Sequence, residues 1–219
     1  MKKFFILGSV LLLFFGVAGS AGATIISYDF LLDAGGDATT PYGWATVETF
    51  DIATTPTTPL WSWSGDHIFV SGSASGLYAA PAGDTTNYVS VPKPYLGTGS
   101  TTVALEGTFN YFGLFWGSVD TYNTLTFLKD GNAVESWTGS QAINPSVANG
   151  NQTAPATNLY VNFLDLPDFD GFRMSSTQYA FEADNIAVGV NPVPEPATML
   201  LLGSGLIGLA GFGRKKLFK

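Results

Sequence analysis

Carboxylates are the most abundant reactive groups in this chain, and three groupings of them have chemistry to offer. Asp165, Asp168 and Asp170 fall within six residues and supply the hard oxygen donors that calcium prefers. Their spacing is not that of an EF-hand loop, because counting back from Asp168 and Asp170 puts Leu166 at the first ligand position. A second calcium set would join Asp184, near the end of the strand-forming region, to Asp29 or Asp33 near its start. The third grouping is catalytic: Glu48, Glu106, Glu135 and Glu182 sit in strand-like stretches. Two carboxyls roughly 5–9 Å apart can hydrolyse glycosides, but acids alternating along a strand usually form a solvated face.

Other chemistry is thinner. His67 is the sole histidine, lies between Asp66 and Ile68, and is accompanied by no G-x-S-x-G elbow, which disfavours a serine triad. A lone histidine also excludes a histidine-rich metal site. The chain has no cysteine, which removes thiol nucleophiles, thiolate metal sites and disulfides. Trp61, Trp63 and Trp137 are the rings placed to stack on sugars of an extracellular polysaccharide, although aromatics alternating on strands more often face a core.

The elements that would carry these groups read as strands throughout. Expected strands cover Thr24–Leu31, Trp44–Phe50, His67–Val70, Asn87–Val91, Thr101–Glu106 and Phe109–Trp116, with Trp61 and Trp63 at period two on one face. Asn123–Leu128 and Ala133–Trp137 flank Asp130-Gly131, a hairpin signal. Leu159–Leu164, Phe172–Ser175 and Tyr179–Val188 complete the set. Many short strands separated by Gly, Pro and Asn turns argue for an all-β fold, a jelly-roll-like β-sandwich spanning residues 24–190. That length buries a single core without covalent help.

Charge separates this middle from its ends. Residues 24–192 hold sixteen acids against Lys93, Lys129 and Arg173. So acidic a body disfavours nucleic acid or an anionic membrane surface as a partner.

The ends are apolar and flanked by lysines. Lys2 and Lys3 precede the run Phe4–Val17, and Ala21-Gly22-Ala23 offers an A-x-A site. Residues 1–23 therefore read as a signal peptide cleaved after Ala23. At the other end Val193-Pro194-Glu195-Pro196 leads into the uncharged run Ala197–Gly213, followed by Arg214-Lys215-Lys216. As a helix that run measures roughly 25 Å, enough to span a bilayer with local thinning, and its basic end acts as a cytoplasmic stop. Gly203-Ser204-Gly205-Leu206-Ile207-Gly208 matches a dinucleotide fingerprint only formally, since no strand precedes it and no βαβ unit follows.

Residues 191–219 resemble the PEP-CTERM sorting signal of Gram-negative bacteria. The resemblance rests on Val193-Pro194-Glu195-Pro196-Ala197, the Leu/Gly run and the Arg-Lys-Lys ending. It implies that exosortase recognises Pro194, Glu195 and Pro196 and cuts nearby. The helix is then a transient membrane anchor, and the secretion machinery and exosortase are the implied partners.

Three further blocks are similar to one family of exosortase-dependent surface proteins. They are Tyr111–Thr124, Asn149–Thr153 with Tyr160–Phe163, and Phe181–Ile186. That resemblance implies a surface β-sandwich and carries over no catalytic residues. The expectation is an exported surface or matrix protein with a non-catalytic, glycan-binding or structural domain. A secreted polysaccharide hydrolase using paired carboxylates is the alternative.

Overall fold

A computed structural model describes residues 23–51, 58, 61–192 and 205–206. Ala21, the Pro194-Glu195-Pro196 motif, the Arg214-Lys215-Lys216 stop and nearly all of both apolar runs lie outside the described residues. Among the described residues no helix is long and apolar enough to cross a membrane.

The strands in chain order are β1 (Ile25–Ser27), β2 (Leu31–Leu32), β3 (Ala38–Thr39), β4 (Thr46–Glu48), β5 (Trp61–Gly65), β6 (Ile68–Ser71) and β7 (Asn87–Val91). There follow β8 (Gly99–Phe109), β9 (Tyr111–Gly117), β10 (Asn123–Lys129), β11 (Asn132–Thr138), a short turn of helix α1 (Gly139–Ala142), β12 (Leu159–Leu164), β13 (Phe169–Ser176) and β14 (Phe181–Gly189). All pairings are antiparallel. The larger sheet runs β1-β12-β9-β14-β7-β6 with β4 also on β14, and the smaller runs β11-β10-β13-β8-β5. From β8 onward the chain passes repeatedly from one sheet to the other, the alternation expected of a jelly-roll-like sandwich.

The core is the interface between these sheets. Phe112 on β9 meets Phe172 on β13 and Phe127 on β10 edge-on, with ring centroids 4.8 and 5.2 Å apart. Trp116 stacks on Phe181 at 4.4 Å within the larger sheet. Such pairs add to the burial energy of large rings.

β9 and β14 are buried on both faces; β9 reads as a continuous apolar run, whereas β14 buries Glu182, Asp184 and Asn185 among its apolar residues. Part of their outer face is covered by the segment from Asp33 to Trp44. Within it Trp44 and Tyr42 pack edge-on against Tyr111. The Tyr111 hydroxyl donates to Asn162 Oδ1 at 2.7 Å and bonds Thr40. Gly113 leaves room for this arrangement, since a Cβ there would meet the Tyr111 hydroxyl at 2.5 Å.

β14 carries the feature that builds the site. Its core-facing residues are Phe181 and Ala183, then Ile186 and Val188, so the alternation slips by one residue between Asp184 and Asn185. The register against β9 shifts at the same point, from Asp184 opposite Phe115 to Ala187 opposite Gly113, and Asn185 adopts φ 47°. This β-bulge turns two consecutive polar side chains to the outer face.

Candidate metal centre

Asp184, facing outward at the edge of the bulge, meets carboxylates from two other segments. Asp37 comes from the turn between β2 and β3, and Asp84 from the connection between β6 and β7. One oxygen of each lies within 4.8 Å of the others. Oxygens sharing an ion at ~2.4 Å lie no more than about 4.8 Å apart, so the three fit around one cation.

Local bonding holds each contributor in place. Asp33 Oδ1 accepts the backbone N–H groups of Gly35, Gly36 and Asp37 at 2.8, 2.9 and 3.0 Å, shaping the turn that presents Asp37. Asp33 Oδ2 accepts from Asn185 Nδ2 at 3.0 Å, and the same amide donates to the Ala38 carbonyl at 3.1 Å. The second polar residue of the bulge thereby ties the covering segment to the sheet. Asp84 Oδ1 accepts the Thr86 N–H and hydroxyl at 2.7 and 2.8 Å.

The opposite oxygens have no such partners. Asp184 is 0% exposed, and neither of its oxygens accepts a hydrogen bond among the described residues. Oδ2 of Asp37, Oδ2 of Asp84 and Oδ1 of Asn185 are buried in the same condition. Burial, then the charge of Asp84, push the Asp184 carboxyl up to about 9. Burial and the charges of Asp84, Asp33 and Asp51 raise Asp37 to about 6. Burial raises Asp84 also. Of the three bases within the described residues, Lys129 pairs with Asp170 at 3.2 Å and Arg173 donates to Thr102, and no ion pair joins any of the three to the cluster.

The other calcium set disperses. Asp170 accepts the Asp130 N–H and pairs with Lys129, which holds its carboxyl below the usual range. Asp165 accepts from Asn191 Nδ2 at 2.9 Å, Asp168 is exposed, and the three do not converge. Of Asp29, Asp33 and Asp184, only Asp184 joins the cluster directly. Asp33 supports it, and Asp29 accepts from Ser27 on the exposed surface.

The tryptophans also need correction. Trp61 and Trp63 share one face of β5, but that face is the core: both pack edge-on against Phe172, and Trp63 also meets Phe50 and Phe69. Trp137 leans on Phe163 and donates to Glu135 Oε1 at 2.8 Å. Trp61 is buried by this packing, while Trp63 and Trp137 remain half-buried.

Glu182 and Glu48 are structural in their bonding, while Glu106 is exposed on β8. Glu182 accepts the Ala79 N–H at 2.9 Å and the Ser118 hydroxyl at 2.8 Å, and burial raises its carboxyl to about 7. Glu48 accepts the N–H of Phe50 and that of Thr58. His67 Nδ1 lies 2.9 Å from the Thr101 hydroxyl, and burial lowers its basicity.

Beside the acidic cluster runs a groove of about 270 Å³ whose walls include Phe30, Leu32, Asp37, Phe115 and Tyr160. Phe30 is 52% exposed. Neither the groove nor Asp37 and Asp84 carried a sequence signal, because each contributor comes from a different loop or strand.

Residues 192–215 match the PEP-CTERM protein-sorting motif. The chain carries an exosortase sorting signal. The PEP-CTERM motif marks it for export with a C-terminal anchor, followed by surface or extracellular localisation, and implies processing by exosortase. No curated protein matches the sequence. Among solved structures the chain is similar to CpGH89CBM32-6 produced by Clostridium perfringens, at 14% identity and TM-score 0.34, over 62% of this chain and 97% of that one. It is also similar to the K2 cleaved adhesin domain of Lys-gingipain, at 15% identity and TM-score 0.32, over 67% and 98%. A third likeness is to the enzymatically active domain of tailspike protein 4 of bacteriophage CBA120, at 16% identity and TM-score 0.27, over 59% and 19%. Likenesses this remote say nothing about what the domain binds.

Proposed function

We propose that the exported domain is a non-catalytic β-sandwich that serves a structural or adhesive role at the cell surface or in the extracellular matrix. The observation that carries this reading is the bonding of its reactive groups. Glu182 is buried and holds the Ala79–Ser118 region to β14. His67 is bonded to Thr101. The closest carboxylate grouping includes Asp184, which is fully buried and so out of reach of a glycosidic bond. Paired-carboxylate hydrolysis needs two acids on the wall of an open cleft, which these positions do not favour.

A glycan-binding form of this role is favoured by one observation, the half-exposed Phe30 ring on the groove beside Asp37. An apolar ring in a concave, partly polar site is the usual sugar-stacking element. Binding of the secreted protein to a polysaccharide panel tests it. Retention that falls at least ~10-fold in Phe30→Ala supports the groove. Retention unchanged in that variant removes it, and release of reducing sugar from the panel would overturn the non-catalytic reading.

A further inference from the structure

We propose that Asp37, Asp84 and Asp184 form a calcium-binding site that clips the N-terminal covering segment and the β6–β7 connection onto the bulge of β14. The proposal stands apart from whatever the groove binds.

Geometry comes first. Three carboxylate oxygens within 4.8 Å of one another match the span of a single coordination sphere. The unpartnered atoms make the second, independent argument. Asp184 is 0% exposed with both oxygens lacking donors, and the second oxygens of Asp37 and Asp84 lack them too. Buried polar atoms almost always find partners, and buried charges are paired or coordinate metals. Here the carboxylates that hold the unsatisfied oxygens converge on one another, and no basic residue within the described chain forms an ion pair with them.

The donor set selects the ion. Only hard oxygens are offered, with no imidazole or thiolate in the cluster, which suits calcium or magnesium over zinc or copper. Calcium accepts irregular geometry and 6–8 ligands, whereas magnesium demands a near-octahedral shell and gives up water reluctantly. Three carboxylates from three unconnected segments form an irregular set. The Asn185 side-chain oxygen, buried and unpartnered, is a further oxygen from the same bulge.

The physical consequence is a conditional clasp. Residues 37, 84 and 184 are far apart in sequence, so one ion closes two long loops at once. Without it the acids repel one another and loosen the cover from Tyr111 and Tyr160 on the outer face of the larger sheet. Where calcium is available the cover is held down.

The test uses the protein recovered from the culture medium, stripped with chelator and titrated with calcium chloride or magnesium chloride by calorimetry, alongside thermal melts. The expected result is one calcium per chain and weaker magnesium. At calcium a hundredfold above its Kd, Tm should rise by roughly 5–11 °C. Asp84→Asn and Asp184→Asn should each weaken calcium by more than the roughly 10–100-fold that loss of an outer partner costs, while Asp170→Asn binds normally. Asp84→Asn keeps the test decisive should Asp184→Asn fail to fold. A wild type with no calcium heat and no Tm response, or an Asp84→Asn variant that binds like wild type, overturns the site.

Discussion

Asn158 is the residue whose loss should reveal most about how the acidic cluster is supported. It precedes β12 and makes five hydrogen bonds with one side chain. Its Oδ1 accepts the N–H of Ala82 and of Ser118, each at 3.0 Å. Its Nδ2 donates to the carbonyls of Asn151 and Ala154 at 2.9 and 3.0 Å and to the Thr157 hydroxyl at 3.2 Å. Ala82 lies two residues before Asp84, so Asn158 anchors the connection that presents a ligand.

In Asn158→Ala the Ser118 N–H is stranded in a buried environment. Each unsatisfied buried group costs about 1–3 kcal/mol. The Asn151 and Ala154 carbonyls keep their bonds from Thr157, so Ser118 and the half-buried Ala82 give a loss of roughly 2–4 kcal/mol, after allowing for water reaching Ala82. For a domain of this size that lowers Tm by roughly 4–16 °C. Urea unfolding followed by tryptophan fluorescence measures it. Asn158→Asp, which keeps the acceptor and loses the donor, should fall between wild type and Asn158→Ala. A loss below ~1 kcal/mol in Asn158→Ala would refute the claim that this amide is the anchor.

Three further outcomes follow from the packing and the charges. Phe112→Ala removes a ring in contact with Phe127, Phe163, Phe169 and Phe172 and should cost about 3–5 kcal/mol in urea unfolding. Trp61→Ala should likewise lower stability by about 3–5 kcal/mol and leave retention on a polysaccharide panel unchanged, since the ring packs on Phe172 in the core. His67 has its basicity lowered, chiefly by burial. The unfolded chain therefore binds more protons than the folded one just below pH 6.5, and stability falls as pH drops through that range toward the lowered folded value. Glu182 and Asp37, both raised, contribute the opposite slope in the same range, so melts from about pH 7.5 to 5 read His67 as a difference: the wild type should lose stability relative to His67→Gln as pH falls.

Much of the architecture could be read from the chain because its strands are short apolar runs with clear punctuation. Asn87–Val91 and Leu159–Leu164 form as expected, the first stopped by Pro92 and the second by a turn at Asp165 with φ 57°. The N-terminal stretches were less regular. Thr24–Leu31 divides into β1 and β2, and Trp44–Phe50 keeps only Thr46–Glu48 as strand because Phe50 adopts φ 57° and turns its ring into the core. Period two placed Trp61 and Trp63 on one face correctly, but periodicity does not say whether that face is wet. The acidic cluster stayed hidden for a different reason. Asp37 and Asp84 sit in loops with no ligand spacing between them, and Asp184 meets them on the outer face of β14, just before the slip in alternation at Asn185. That slip was visible as Asp184-Asn185 inside an apolar run, though nothing local said which acids it would face.

Intact-mass analysis of the protein released from cells is the sharpest test of whether an acidic β-sandwich is carried across a membrane between two disposable ends. The expected chain begins at Thr24 and ends near the Pro194-Glu195-Pro196 motif, and a variant with those three residues changed to alanine should keep its tail and stay with the membrane. Recovery of the native protein from the cytosol with Met1 and Lys219 both attached would contradict export across the membrane.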